Sequence, residues 1–143
     1  MTRRIKRHLI REIMTPSPVT VSPKTGIREL KSLFDEHDVN ALPVVDERGL
    51  LRGIVSTLDI LRLFRSPKGL CYPDLRALRA RHAGDVMRRG AVTVQPDDVV
   101  ETACEVASPV PTSQSAGRGR VVGIVSRRDT LRCLVLETDD LKD

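Results

Sequence analysis

The sequence predicts an α+β protein built from two copies of one small unit, and three observations predict it. An internal repeat divides the 143 residues into halves that share two motif blocks in the same order. Within each half, β-rich runs bounded by turn residues alternate with apolar stripes at helical spacing. Apolar residues make up 40% of the chain but aromatics only 2%, so the core must be assembled from Val, Leu, Ile and Ala.

The repeat comes first because it constrains everything else. Glu12-Ile13-Met14 followed by Val19-Thr20-Val21-Ser22-Pro23 recurs as Asp85-Val86-Met87 followed by Val92-Thr93-Val94-Gln95-Pro96, a shift of 73 positions. Gly53-Ile54-Val55-Ser56-Thr57-Leu58-Asp59 recurs as Gly123-Ile124-Val125-Ser126-Arg127-Arg128-Asp129, a shift of 70. The resulting boundaries are 1–66 for the first copy with a basic N-terminal helix, 67–84 for a linker, 85–137 for the second copy and 138–143 for an acidic tail. Units of about 60 residues bury surface inefficiently alone, so the two halves are expected to depend on each other.

Each element of the first copy has a local cause. Val19 to Val21 reads as a strand held between Pro18 and Pro23. Ile27, Leu30, Leu33 and Phe34 recur at three and four, which predicts a helix from about Gly26 to Asp38. Asn40 and Pro43 argue against its continuation. Leu42 to Val45 and Leu50 to Val55, joined by Asp46-Glu47-Arg48-Gly49, read as an antiparallel hairpin, and a helix from about Thr57 to Phe64 closes the copy.

The linker contains Pro67, Gly69 and Pro73, with Leu75 to Ala80 expected as two helical turns. In the second copy Val92 to Val94 is the expected strand, Val99, Ala103, Val106 and Ala107 the helical stripe, Val121 to Val125 a strand and Arg127 to Leu136 a helix. The segment Pro109 to Gly117 is rich in Pro, Ser and Gly. It predicts a mobile loop or a distorted edge strand, leaving the second copy without a clear middle strand.

Composition narrows the function classes. No apolar run approaches the roughly 18 residues that span a bilayer, and no apolar signal stretch follows the basic start, so a cytoplasmic protein is expected. Cys71, Cys104 and Cys133 are odd in number and widely separated; they form no disulfide framework or zinc pattern and are expected as buried or half-buried thiols. No catalytic arrangement of Ser, Cys or carboxylate around His8, His37 and His82 is read as recurring in both copies, and there is no phosphate-cradling glycine loop, so an enzyme is not expected and no metal is called for.

The net charge of +5 is partly concentrated in Arg3, Arg4, Lys6, Arg7 and Arg11, interleaved with Ile5, Leu9, Ile10 and Ile13 as a short basic amphipathic helix. Such a face either stays solvated or meets an anionic partner. Nucleic acid remains an alternative partner, as does a protein-interaction scaffold, but Tyr72, Phe34 and Phe64 provide no base-stacking platform.

Taken together, Met-x-x-x-x-Val-Thr-Val, Leu42-Pro43-Val44-Val45-Asp46 and Gly-Ile-Val-Ser-x-x-Asp resemble the CBS repeat, named after cystathionine β-synthase and commonly found in pairs. The resemblance covers most of residues 10 to 136. It implies tandem β-α-β-β-α units packed as a pseudo-twofold pair with two clefts, a homodimer, and a regulatory function: binding AMP, ATP or S-adenosylmethionine without chemistry, with no obligatory cofactor. A regulated protein would then be met in trans.

Site residues follow from the same resemblance. Asp59 and Asp129 correspond to the family acid that accepts the ribose hydroxyls; Ser56, Ser126, Thr20 and Thr93 correspond to hydroxyl residues that contact phosphate, ribose or base. Val21, Val94 and Leu58 flank these positions. Asn40 and Ala41 stand where the family often carries a basic side chain, which leaves Arg128 or Arg127, and less strongly Lys24, to meet a phosphate. A carboxylate suits two adjacent hydroxyl donors because it only accepts. Ser56-x-x-Asp59 and Ser126-x-x-Asp129 are equally capping-box spacings, in which the acid serves the helix start. Arg128 is correspondingly either an anion partner or a solvated helix residue.

Overall fold

The computed structural model describes residues 7–90, 93–104, 110–113 and 119–139. In chain order the elements are α1 (Ile10–Ile13), β1 (Thr15–Pro16), α2 (Ile27–His37), β2 (Ala41–Val45), β3 (Leu51–Ser56), α3 (Thr57–Leu63), β4 (Arg65–Ser66) and β5 (Gly69–Leu70). They continue with α4 (Leu75–Arg79), α5 (Ala83–Val86), α6 (Val100–Cys104), β6 (Val110–Ser113), β7 (Val121–Val125) and α7 (Arg127–Asp139). Strands and helices are mixed, as an α+β fold requires.

The chain folds as two compact units that do not follow the order of the repeats: one is Val19–Ala91, the other joins Met1–Pro18 to Val92–Asp143. The leading segment of each copy therefore serves the unit that holds the other copy's closing strand. Ala83 is fully buried among Val21, Ile27, Leu30, Val44 and Val55. Ile10 is equally buried, with Val94, Val100 and Val125.

In the Val19–Ala91 unit the aliphatic stripe of α2 buries Ile27, Leu30 and Phe34, and the helix stops at Asp38 with φ 50°, a left-handed conformation that a short polar side chain tolerates. Strands β2 and β3 pair antiparallel, with Ala41 opposite Ser56 and Pro43 opposite Ile54. Their turn is held by Asp46, whose Oδ1 accepts the N–H groups of Arg48 and Leu50 at 2.9 and 3.0 Å, and by Gly49 at φ +79°. The segment carrying Met87 runs beside β3: Ile54 and Arg88 exchange backbone hydrogen bonds of 3.1 and 2.9 Å. A side chain on Gly53 would meet the Arg88 carbonyl oxygen at 2.7 Å and Met87 Sδ at 2.8 Å, so only glycine admits this approach.

The split unit repeats the arrangement. Thr15 pairs with Ile124 and Pro16 with Gly123, and Met14 Sδ lies 2.5 Å from where a Gly123 Cβ would stand. The duplicated acid-x-Met motif thus has a structural role in both units. Its acid closes the short helix, with the Leu9 N–H donating to Glu12 at 3.3 Å and the His82 N–H to Asp85 at 2.8 Å. Its methionine covers the strand glycine.

Several expectations are corrected. The strand expected over Val19–Val21 is reduced to the bridge position Val21; of Val92–Val94, Val92 lies outside the described residues and only Val94 is a bridge position, and Thr20 and Thr93 lie in no regular element. The second copy does possess a middle strand: β6 forms at the edge of the three-stranded sheet β1-β7-β6, with a register shift at Thr112/Ser113. This matches the distorted edge strand rather than the loop, because an edge position tolerates Pro111. Residues 105–109 and 114–118, including Val106 and Ala107 of the expected helical stripe, lie outside the described residues.

The basic N-terminal helix is confined to α1 among the described residues, with Arg7 preceding it and residues 1–6 outside the description. Helix α7 runs through Asp139, so the acidic segment expected as a tail from 138 begins inside a helix; residues 140–143 lie outside. Cys71 is exposed rather than buried, whereas Cys133 is buried and the Cys104 side chain lies outside the description. The hairpin β4–β5 was not expected from sequence, since its short strands lack alternation.

Candidate functional site

The geometry of β2 brings the first copy's candidate residues to one end of its sheet. Val21 bridges Val44 in parallel, donating its N–H to the Pro43 oxygen at 3.0 Å and accepting from the Val45 N–H at 2.8 Å. Thr20, one residue earlier on a parallel neighbour, lies toward the Ala41 end of β2. On the other side of β2, Ala41 faces Ser56, and the Asn40 carbonyl accepts the Thr57 N–H at 2.9 Å. Thr20 and Asn40 are exposed there, while Val21, Ala41 and Ser56 are buried.

The corner itself is a reciprocal cap. Ser56 donates its N–H and its hydroxyl to the same carboxylate oxygen, Asp59 Oδ2, at 2.8 and 3.0 Å, and the Asp59 N–H donates back to Ser56 Oγ at 3.3 Å. Asp59 is only 5% exposed. Its second oxygen, Oδ1, faces Arg62 Nη1 at 3.6 Å, beyond a good hydrogen bond, from a side chain that is itself largely in solvent.

The split unit reproduces this corner. Ser126 gives its N–H and hydroxyl to Asp129 Oδ2 at 2.9 and 3.0 Å, the Asp129 N–H returns to Ser126 Oγ at 3.2 Å, and Oδ1 faces Arg132 Nη1 at 3.8 Å. Asp129 is buried, Val94 is buried beside Val125, and Thr93 is half-buried. The counterparts of Asn40 and Ala41 fall outside the described residues.

The capping reading from spacing is therefore realised in both copies. It does not exhaust either carboxylate, because one oxygen serves the cap and the other retains acceptor capacity toward an exposed guanidinium. Leu58 and Arg128 occupy equivalent exposed positions, so the two corners differ in charge: Thr57 and Leu58 in one, Arg127 and Arg128 in the other. Lys24 is exposed, and its N–H caps back to Ser22 Oγ at 3.1 Å. Arg62 and Arg132 were missed by the sequence reading, although their i,i+3 spacing from the acids was visible. Among the described residues no group of three His, Cys, Asp or Glu side chains is arranged to hold a metal ion. No helix among them is long and apolar enough to cross a membrane.

Comparison with known proteins identifies this architecture. The CBS domain pattern matches residues 10–66 and 83–136, and the chain belongs to the CBS domain family. It is similar to a CBS domain-containing protein of Dictyostelium discoideum, 27% identical over 89% of this chain and 91% of that one. It is 29% identical, over 87% of its length, to an L-aspartate semialdehyde sulfurtransferase of Methanocaldococcus jannaschii, but spans only 23% of that protein.

Among solved structures it resembles a CBS domain pair in complex with 5-methylthioadenosine and S-adenosyl-L-methionine, with TM-score 0.73 and 27% identity over 90% of this chain and 97% of the other. It shares its fold with CBSX2 in complex with AMP, at TM-score 0.73 and 24% identity over 90% and 97% of the two chains. The chain is thus a tandem CBS pair.

Proposed function

We propose that the chain is a non-catalytic, cytoplasmic sensor that binds an adenosyl ligand (AMP, ATP or S-adenosylmethionine) at its Ser-x-x-Asp corners and acts, as a homodimer, on a protein in trans. The observation that carries this reading is the duplicated corner: in both copies a buried carboxylate uses Oδ2 for the cap and keeps Oδ1 toward a displaceable arginine. Ribose hydroxyls supply the donors that such an oxygen lacks. Ser56 and Ser126 present remaining acceptor capacity, and Thr20, on the segment bridged to β2, and its counterpart Thr93 are assigned to phosphate or base. Arg128, with Arg127, is assigned to ligand phosphate, whereas Leu58 at the equivalent position suits an uncharged part of the ligand. The relative crystallised with methylthioadenosine and S-adenosylmethionine supports the adenosyl class. Exposed Leu58, Leu61 and Leu131 supply apolar area for self-association.

Isothermal titration with AMP, ATP and S-adenosylmethionine tests the reading, using Asp59→Asn and Asp129→Asn variants that keep the cap. Loss of at least about tenfold in affinity, about 1.4 kcal/mol, is expected in one or both variants. Absence of heat with all three ligands on folded protein refutes it.

A further inference from the structure

From the last two residues of the first segment that matches the CBS pattern to just before the second runs a stretch that the ligand corners do not use. Residues 65–81 contain Arg65, Lys68, Arg76, Arg79 and Arg81 against the single carboxylate Asp74, a net of +4 within a chain whose total is +5. All five cations are exposed, and Asp74 Oδ1 is occupied as an acceptor for the Arg76 N–H at 3.0 Å. The same stretch holds three of the six large apolar side chains exposed among the described residues: Leu70 at 73%, Tyr72 at 92% and Leu75 at 62%.

This surface is held rather than loose. The Cys71 N–H donates to the Phe64 carbonyl at 2.7 Å, and the Phe64 ring, partly buried against the core, meets the Tyr72 ring edge-on at 6.3 Å. Leu78 packs against the same core, anchoring α4 while Leu75 and Arg79 stay in solvent. Apolar side chains displayed on an anchored scaffold lose little further freedom on binding.

We propose that this insert, residues 65–81 from β4 to just past α4, is the docking surface for an acidic polypeptide segment carrying apolar side chains. The proposal rests on the in-trans part of the functional reading and not on its ligand. Four of the five cations are arginines, whose planar forks match carboxylates, and tyrosine and arginine are the residues enriched at the energetic centres of protein interfaces. A nucleic-acid backbone would satisfy the cations but offers nothing to Leu70 and Leu75.

Tyr72 is the chain's only tyrosine and there is no tryptophan, so its emission reports this surface directly in the full-length protein. The probe is a synthetic peptide of Asp, Glu and Leu only. A saturable change in Tyr72 emission is expected, weakened at least tenfold by Arg76→Glu with Arg79→Glu, and likewise by Leu70→Ser with Leu75→Ser. The milder Arg76→Gln with Arg79→Gln is expected in between, provided each variant keeps its circular dichroism. Reversing Arg48 and Arg52 to Glu, the same change of charge off the insert, is expected to leave the midpoint within twofold.

No emission change on folded protein overturns the proposal, as does equal weakening by the Arg48 and Arg52 reversal or equal affinity for poly-glutamate. Tighter binding to phosphatidylserine vesicles or to duplex DNA also overturns it. The ligand titration is run on the same variants. Heat from an adenosyl ligand without peptide binding refutes only the insert, and peptide binding without ligand heat refutes only the sensor.

Discussion

Replacing Asp59 separates its capping role from its ligand role, because alanine and asparagine remove different atoms. Asp59→Ala strips the acceptor from a buried Ser56 N–H that it holds at 2.8 Å, and from the Ser56 hydroxyl at 3.0 Å. An unsatisfied buried donor costs about 1–3 kcal/mol, so about 2 kcal/mol is expected. Asn can turn its carbonyl oxygen to Ser56 and keep both bonds, placing its NH2 where Oδ1 faces Arg62. That sacrifices only a 3.6 Å contact to an exposed arginine, worth less than about 1 kcal/mol.

At about 2–4 °C per kcal/mol for a chain of this size, thermal unfolding followed by circular dichroism should fall by about 4–8 °C for Ala and by less than about 4 °C for Asn. The NH2 group donates and does not accept, so Asn should still lose the ribose contact. Asp129→Ala should cost less than Asp59→Ala, since Ser126 is only half-buried and water can replace the lost acceptor. Equal destabilisation by Asn and Ala would refute the argument, showing that the charge rather than the acceptor geometry holds the corner. A neutral Asp59→Ala would refute the cap as a source of stability.

Three further outcomes follow from the packing. Gly53→Ala should destabilise by about 1–3 kcal/mol in urea unfolding, and more than Gly123→Ala, because it meets the Arg88 carbonyl held in a backbone bridge, whereas the nearest atom to Gly123 is the movable Met14 Sδ; the reverse order would count against the bridge. Ile10→Ala, at a fully buried position, should cost about 2–5 kcal/mol and speed hydrogen exchange at Ile124 and Val125 more than at Val44 and Val55. Gly49→Ala, at φ +79°, should lower stability by about 1 kcal/mol without altering ligand heats, as checked by unfolding and titration together.

Much of the candidate site's local geometry is legible in the sequence. The Ser-x-x-Asp spacing places the acid one helical turn inside the start, so its bonds to Ser56 and Ser126 are local consequences of helix geometry. The antiparallel pairing of β2 with β3 was legible too, because the Asp46–Gly49 turn joins them; the register shift between Val44 and Val45 was not. Arg62 and Arg132 escaped notice since surface cations on a helix carry no distinctive signal, and the second oxygen of each carboxylate acquires meaning only once the first is seen to be occupied.

By itself the sequence determined the duplication, the apolar stripe of α2, the capped corners and the family, all of which rest on periodicity or on contacts between residues close in the chain. Only the tertiary structure decided that Glu12-Ile13-Met14 serves the unit of Val121–Val125 and that Asp85-Val86-Met87 serves that of Leu51–Ser56. It likewise decided that Pro-rich Val110–Ser113 pairs as an edge strand and that Leu70, Tyr72 and Leu75 stand in solvent beside five cations. Pairing and exposure of this kind depend on which distant surfaces exclude water from one another, and in a repeated sequence either copy of a motif matches either partner equally well.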